Sequence, residues 1–132
     1  MISLEPIEWP EEVEILVDQL DNESSARALS REERALMDVV ETVSILESED
    51  CLHGFWHSGL NQQRVIKSFD LIGASTLVDA LNASQWCETR SDDRNDYSAT
   101  EEEYLRTIEE DLSTGMDELV DLVLDFIEGE LG

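Results

Sequence analysis

Apolar residues recur at helical spacing wherever they cluster in this chain, and no segment alternates strictly between apolar and polar residues. A repeat near 3.6 residues places apolar side chains on one side of a helix, whereas a half-buried strand needs a repeat of two. The stripes lie near residues 13–20, 36–46, 65–72, 77–86, 104–112 and 116–127. The sequence therefore predicts an all-α fold, a single-domain compact bundle of about six helices over residues 1–132.

Capping signals set the boundaries of these predicted helices. A Ser or Thr that precedes a Glu by three residues fits a capping box, and a Gly just past an apolar stripe fits a helix end. The predicted starts are Ser30 with Glu33, Asn61, Ser75, and Thr100 with Glu103, and the predicted ends are Gly73 and Gly115. Residues 1–8 are predicted to form an N-terminal arm, and the polar, aperiodic residues 88–99 a loop between helices.

Net charge limits the partners of this chain. It holds 33 acidic and 8 basic residues, which gives a formal net charge of -25 and a pI near 4.1. Such a field repels nucleic acid and anionic lipid and attracts basic proteins. The sequence thus predicts a basic protein partner, with no direct binding to nucleic acid or membrane. The N-terminus has neither a basic start nor an apolar run, which favours a cytoplasmic location.

The acidic residues are concentrated in the two ends of the chain. Residues 1–25 hold eight acids and no base, and residues 101–132 hold twelve acids and the single base Arg106. Residues 51–87 hold two acids and two bases. The residues predicted to bind a partner are Asp117, Asp121, Asp125 and Glu128 on the last helix, with Glu101, Glu102, Glu109 and Glu110 on the preceding helix as a second stripe.

Spacing limits what one stripe can imitate. Duplex DNA carries one charge per about 1.7 Å of its axis, and carboxylates four residues apart on a helix lie roughly 6 Å apart. A single stripe therefore has about a quarter of the charge density of a duplex. Several aligned stripes, or two subunits side by side, come closer to it. Like charges at this spacing also destabilise a helix, which suggests a use for them.

Signals for catalysis and metal binding are weak. Cys51, His53 and His57 form the best candidate metal cluster, but their spacing with Cys87 matches no standard zinc pattern. The alternative is two histidines packed within an aromatic cluster. The sequence has no glycine-rich phosphate loop, no HExxH and no nucleophile elbow. It therefore predicts a protein that is not an enzyme and has no cofactor or metal.

Two adjoining segments resemble a known family. Residues 52–59 read Leu-His-Gly-Phe-Trp-His-Ser-Gly, and residues 65–74 read Val-Ile-Lys-Ser-Phe-Asp-Leu-Ile-Gly-Ala. The aromatic pair Phe55–Trp56 and the step ending at Gly73 resemble the DNA-mimic-protein-19-like family of small bacterial proteins. The family usually has Asn-Gly-Gly before the aromatic pair, where this chain has Asp50-Cys51-Leu52. The resemblance implies an all-helical fold, a structural role for these motifs, a homodimer and imitation of DNA.

Charge pattern and resemblance together favour an acidic protein-binding module that occupies the DNA-binding surface of a basic protein. Two alternatives stay open on the sequence. One is an immunity-type inhibitor or adaptor that covers a basic patch on a toxin or an enzyme. The other is a protein whose acidity serves solvation in high salt, because the chain has many acids, Lys67 as its single lysine and arginine as its usual base.

Overall fold

Six α-helices make up most of the computed structural model, which describes residues 6–48, 51–90 and 96–131. They are α1 (Glu11–Glu23), α2 (Arg31–Leu46), α3 (Cys51–Trp56), α4 (Gln62–Ile72), α5 (Ser75–Ala83) and α6 (Ala99–Phe126). A 3-10 turn (Gln85–Thr89) follows α5, and a π turn (Ile127–Leu131) ends the described chain. These ranges contain no strand. The predicted all-α fold is confirmed, although the six helices are not the predicted six.

Local capping chemistry sets several boundaries as predicted. The Ser30 hydroxyl accepts from the Glu33 amide at 3.1 Å, and the Glu33 carboxylate accepts from the Ser30 amide at 2.8 Å. Asn61 accepts from the Arg64 amide at the start of α4. Gly73 ends α4 with a φ of 92°, a left-handed conformation that glycine adopts without steric cost.

Two of the predicted starts are wrong. Ala74 precedes α5 without a side-chain cap, and Ser75 is already the first residue of that helix. At α6 the capping box is formed by Ser98 and Glu101 rather than Thr100 and Glu103. Both pairs have the required spacing, and the earlier start adds residues to a helix whose propagation is favourable once it is nucleated.

The predicted arm and loop are partly replaced by other structure. Residues 1–5 of the arm and 91–95 of the loop lie outside the described residues. Within the arm, the Ile7 amide donates to the Glu47 carboxylate at 3.3 Å, which joins the chain before α1 to the end of α2. The loop prediction fails at both of its ends, because the 3-10 turn extends to Thr89 and α6 begins at Ala99.

Helix α3 forms in a segment that none of the predicted helices includes. Five of its six residues are buried, and Gly54 is the exception. A glycine costs a helix about 1 kcal/mol relative to alanine, which burial of the neighbouring aromatic side chains outweighs. The Ser58 hydroxyl then donates to the Phe55 carbonyl at 2.7 Å and satisfies one of the last carbonyls of the helix.

Helix α6 is continuous through Gly115, where the sequence predicts a break between two helices. Gly115 is buried against α5, and a Cβ atom there would lie 2.8 Å from Leu77 Cδ2 and 3.2 Å from Thr76 Cγ2. The glycine therefore permits close approach of α5 and α6 and does not end a helix. The helix count agrees with the prediction because one helix is gained at α3 and one boundary is lost here.

The core lies where α2, α4, α5 and α6 pack on one another, with α3 covered by α2 and by the 3-10 turn. Its largest fully buried apolar side chains are Phe55, Phe69, Leu36, Leu46, Leu52, Leu77, Leu81, Leu105, Leu112 and Leu119. They come from α2, α3, α4, α5 and α6, and each of these helices buries one side against the others. In the described part of the chain, no helix has the length and apolarity that a membrane span requires.

Candidate functional site

The outer side of α6 carries a row of exposed carboxylates, which we call the α6 acidic face. At 3.6 residues per turn, its members fall within an arc of about 80° around the helix axis. They are Glu103, Glu110, Asp117, Asp121 and Asp125 on α6 and Glu128 in the π turn that follows it, and all six are exposed. Because α6 is one helix, the row runs for about 38 Å at 1.5 Å per residue.

The four acids predicted on the last helix lie on this face. Asp117, Asp121, Asp125 and Glu128 are exposed side by side, as their spacing requires. Because α6 continues through Gly115, Asp117 lies in the middle of a long helix rather than in the first turn of a separate one. The helix dipole therefore does not stabilise it, because that effect falls off within the first turn.

The predicted second stripe does not form. Glu110 is exposed, but it extends the same face, since it lies seven residues before Asp117 on one helix. Glu109 is fully buried, so it cannot meet a partner at the surface. Glu101 and Glu102 are only partly exposed at the start of α6.

Glu101 has a structural task at that helix start. Its carboxylate accepts from the Ser98 amide at 3.0 Å and pairs with Arg90. The amide hydrogen bond first, and Arg90 second, hold the pKa of Glu101 below its ordinary value. A carboxylate used as both cap and ion-pair partner is not available to a second protein without cost, and we exclude it from the α6 acidic face.

Glu103 belongs to the face, although it is not among the predicted partner-binding residues. It is exposed and lies seven residues before Glu110, which is two helical turns. The seven-residue steps from Glu103 to Glu110 to Asp117 could have revealed it. The predicted helix break at Gly115 hid that regularity, because it divided the steps between two helices.

Few positive charges oppose this face. Arg106 is the single base on α6 and is itself exposed. Among the described residues, no ion pair involves a member of the α6 acidic face, and Asp111 and Glu118 add exposed carboxylates along one side of it. Eight carboxylates over about 38 Å give roughly one charge per 5 Å, against one per 3.4 Å for a single DNA strand.

The aromatic motif of the central segment is structural. Phe55 is fully buried, and Trp56, also buried, donates from its indole Nε1 to the Ser84 hydroxyl at 2.8 Å. Ser84 in turn donates to the Leu81 carbonyl at 2.9 Å, so the hydrogen bond joins α3 to the end of α5. Together with Gly73 at the end of α4, these residues position helices and expose no reactive group.

The histidines of the candidate metal cluster are engaged in hydrogen bonds. His53 Nδ1 and the Tyr97 hydroxyl share a buried hydrogen bond of 2.7 Å, and His57 donates from Nε2 to the Cys87 carbonyl at 2.9 Å. The two imidazole centroids lie 4.5 Å apart. Within the described ranges, no three His, Cys, Asp or Glu side chains converge as metal ligands. The geometry supports the alternative of histidines packed in an aromatic cluster.

That cluster extends beyond the segment in which the sequence suggests it. The Tyr97 ring meets the rings of both His53 and Trp86, with centroids 5.3 and 5.7 Å away. Trp86 also lies 5.9 Å from the ring of Tyr104 and 5.4 Å from the guanidinium of Arg90. The 3-10 turn and the start of α6 are thereby packed on α3, which fixes one end of the α6 acidic face.

Comparison with known proteins adds no assignment to this geometry. The chain matches no family model, no curated protein and no solved structure. The resemblance of residues 52–74 to the DNA-mimic-protein-19-like family therefore stays a prediction.

Proposed function

We propose that this protein is an acidic protein-binding module whose α6 acidic face occupies the DNA-binding surface of a basic protein in the cytoplasm. The observation that carries the proposal is the row of six exposed carboxylates that follows one side of α6 and ends at Glu128 in the π turn. It agrees with the net charge of -25 and with the resemblance stated above. No catalytic step is part of this function.

Electrostatics explain how such a face would work. A DNA-binding surface presents Lys and Arg side chains toward phosphates, and carboxylates at similar intervals can accept the same hydrogen bonds. One helix has a lower charge density than a duplex, and it is straight where a DNA strand winds around its axis. We therefore expect the face to occupy part of a DNA-binding surface, with affinity that falls as salt rises.

Competition with DNA tests the proposal. The tagged chain is used to capture proteins from a nuclease-treated lysate of the host, and bound proteins are eluted first with duplex DNA and then with salt. We expect a basic DNA-binding protein in the DNA eluate. A partner that ignores DNA and leaves only with salt would instead support the inhibitor or adaptor. Absence of any specific partner would favour acidity that serves solvation.

A charge-matched pair of variants assigns the binding to the face. Asp121→Lys with Asp125→Lys reverses two neighbouring carboxylates of the row, and Glu12→Lys with Glu41→Lys reverses two exposed carboxylates on α1 and α2. Both variants have the same net charge. We expect only the first to lose the captured partner. Equal loss in both variants would mean that net charge, and not this face, determines binding.

A further inference from the structure

A groove between α2 and α4 concentrates positive charge in this acidic chain. Its volume is about 300 Å³, and its lining holds four bases, Arg31 and Arg34 from α2 and Arg64 and Lys67 from α4, against two acids, Asp38 and Asp70. These bases are four of the eight in the sequence. Each pair is separated by three residues, so its side chains lie about one turn apart on the same side of their helix.

One of these cations is held in place by a buried acid. Asp38 is 5% exposed and accepts from Arg64 Nε at 3.1 Å and from Arg64 Nη2 at 3.0 Å. The Ser68 hydroxyl also donates to Asp38 at 3.0 Å. The bidentate contact fixes the guanidinium at the wall of the groove, because Arg64 cannot leave without breaking two hydrogen bonds to a buried carboxylate.

Two of the three other cations, Arg34 and Lys67, have no carboxylate partner among the described residues. Arg31 pairs with the neighbouring Glu32 at 3.2 Å, whereas Arg34 and Lys67 make no ion pair within the described part of the chain. Both are exposed. A chain with so few bases thus leaves two of them unneutralised on facing sides of one groove.

The groove also has an apolar part. Ala35 is buried in its lining, and Leu71 is 37% exposed at its edge. Leu71 is one of three large apolar side chains that are exposed among the described residues, with Ile15 and Tyr104. A surface that combines cations with an exposed leucine matches a helix that combines carboxylates with an exposed apolar residue.

Helix α1 has such a face. Glu11, Glu14, Asp18 and Asp21 lie on one side of it, spaced three or four residues apart, and all are exposed. Ile15 lies among them and is 58% exposed. None of these carboxylates makes an ion pair within the described residues. The carboxylate spacing on α1 equals that of the cation pairs along the groove.

We infer that the α2–α4 groove binds helix α1 of a second copy of this chain, with Ile15 against Leu71 and the α1 carboxylates against Arg34 and Lys67. Two chains of net charge -25 repel each other, so association requires a contact of opposite charges. The groove and α1 provide such a contact. It involves no residue of the α6 acidic face and holds whether or not the proposed function does.

A charge-matched pair of variants tests the groove by sedimentation equilibrium of the full chain at low salt. We expect concentration-dependent association of the wild type and about tenfold weaker association of Arg34→Glu. Arg106→Glu changes the net charge equally on α6 and should associate as the wild type does. A wild type that stays monomeric up to millimolar concentration overturns the inference and leaves the groove to an acidic segment of another protein. Equal weakening in both variants overturns it as well.

Complementary reversal identifies α1 as the occupant. Arg34→Glu with Lys67→Glu reverses two of the four groove cations, and Glu14→Lys with Asp18→Lys reverses two carboxylates of α1. Each variant alone should lose association. A mixture should associate again, because the acidic α1 of the first variant meets the intact groove of the second, and the basic α1 of the second meets the acidic groove of the first. Mixtures that do not associate overturn the assignment of α1, and circular dichroism of each variant verifies that it is folded.

The apolar contact has its own control. Ile15→Ser removes the exposed apolar side chain of α1, and Tyr104→Ser removes one of similar exposure, 54%, on α6. We expect the first to weaken association about tenfold and the second to leave it unchanged. An Ile15→Ser variant that associates as strongly as the wild type contradicts the placement of Ile15 in the groove.

Discussion

The α6 acidic face and the central segment 51–87 differ in charge, burial and task. Residues 101–132 hold twelve acids and one base, whereas the central segment holds two acids and two bases. The central segment supplies Phe55, Phe69 and other large buried side chains, and the α6 acidic face is exposed along its whole length. The difference predicts that stability depends on the central segment and the proposed binding on the α6 acidic face, so a substitution should affect one property without the other.

The largest expected loss of stability comes from the central segment. Phe55→Ala should lower the free energy of unfolding by about 3–5 kcal/mol, because it removes a fully buried ring and leaves a cavity. Urea denaturation measures the change. Tyr104→Ala, which removes a half-exposed ring, is the control and should cost far less. Comparable losses in the two variants would contradict the assignment of stability to the centre.

Overpacking at Gly115 should have the next largest effect. Gly115→Val places new atoms against Leu77, whose side chain is fully buried and cannot move into solvent. We expect a loss of about 1–3 kcal/mol in the same denaturation experiment. Gly129→Ala, where nothing lies within 4 Å of the added Cβ, should cause no loss. A stable Gly115→Val variant would mean that α5 and α6 are not in close contact.

Removal of charge from the α6 acidic face should raise stability slightly while it abolishes binding. Asp117→Asn, Asp121→Asn and Asp125→Asn together remove two like-charge pairs four residues apart, each of which costs about 0.2–0.5 kcal/mol. The melting temperature of the triple variant should therefore rise, and added salt should raise that of the wild type by screening the same repulsion. A lower melting temperature in the variant would show that these carboxylates stabilise the fold.

The smallest effect concerns the capping box of α2 and depends on pH. The side chain of Arg27 first, and the amide of Ser30 second, lower the pKa of Glu33 from 4.5 to about 2. Because this pKa is lower in the folded state, the contribution of Glu33 is present above pH 4.5 and is lost as the pH falls toward about 2. The stability difference between wild type and Glu33→Gln should shrink over that interval. Glu41→Gln, which removes an exposed carboxylate from the same helix, is the matched control for loss of a charge.

Short-range chemistry explains which parts of the fold could be predicted. The capping box at Ser30, the Asn61 cap and the left-handed Gly73 depend on residues within one turn, so their pattern is visible in the sequence. The start of α6 shows the limit of this approach. Ser98 and Thr100 both precede a Glu at capping-box distance, and local pattern alone does not choose between them.

The candidate site was predictable only in part, for the same reason. Helical spacing aligned Asp117, Asp121 and Asp125 correctly, because it needs no knowledge of neighbouring helices. Whether a carboxylate is exposed depends on what packs against its helix. Glu109 follows Leu105 by four residues and therefore lies toward the apolar side of α6, where it is buried, whereas Glu110 lies on the other side and is exposed. Helical spacing could have separated these two acids, but the packing that makes the burial of Glu109 complete is not visible in the sequence.

By itself, the sequence determined that this protein is helical, strongly anionic and most acidic at its two ends, because periodicity and charge are properties of residues and their spacing. Tertiary structure decided the rest. Packing against Leu77 makes Gly115 a close-contact residue within one long helix, and so places Glu103 and Glu110 on the same helix face as Asp117, Asp121 and Asp125. The pairing of α2 with α4 gathers four of the bases into one groove. Both outcomes depend on contacts between residues far apart in the chain, which no local pattern contains.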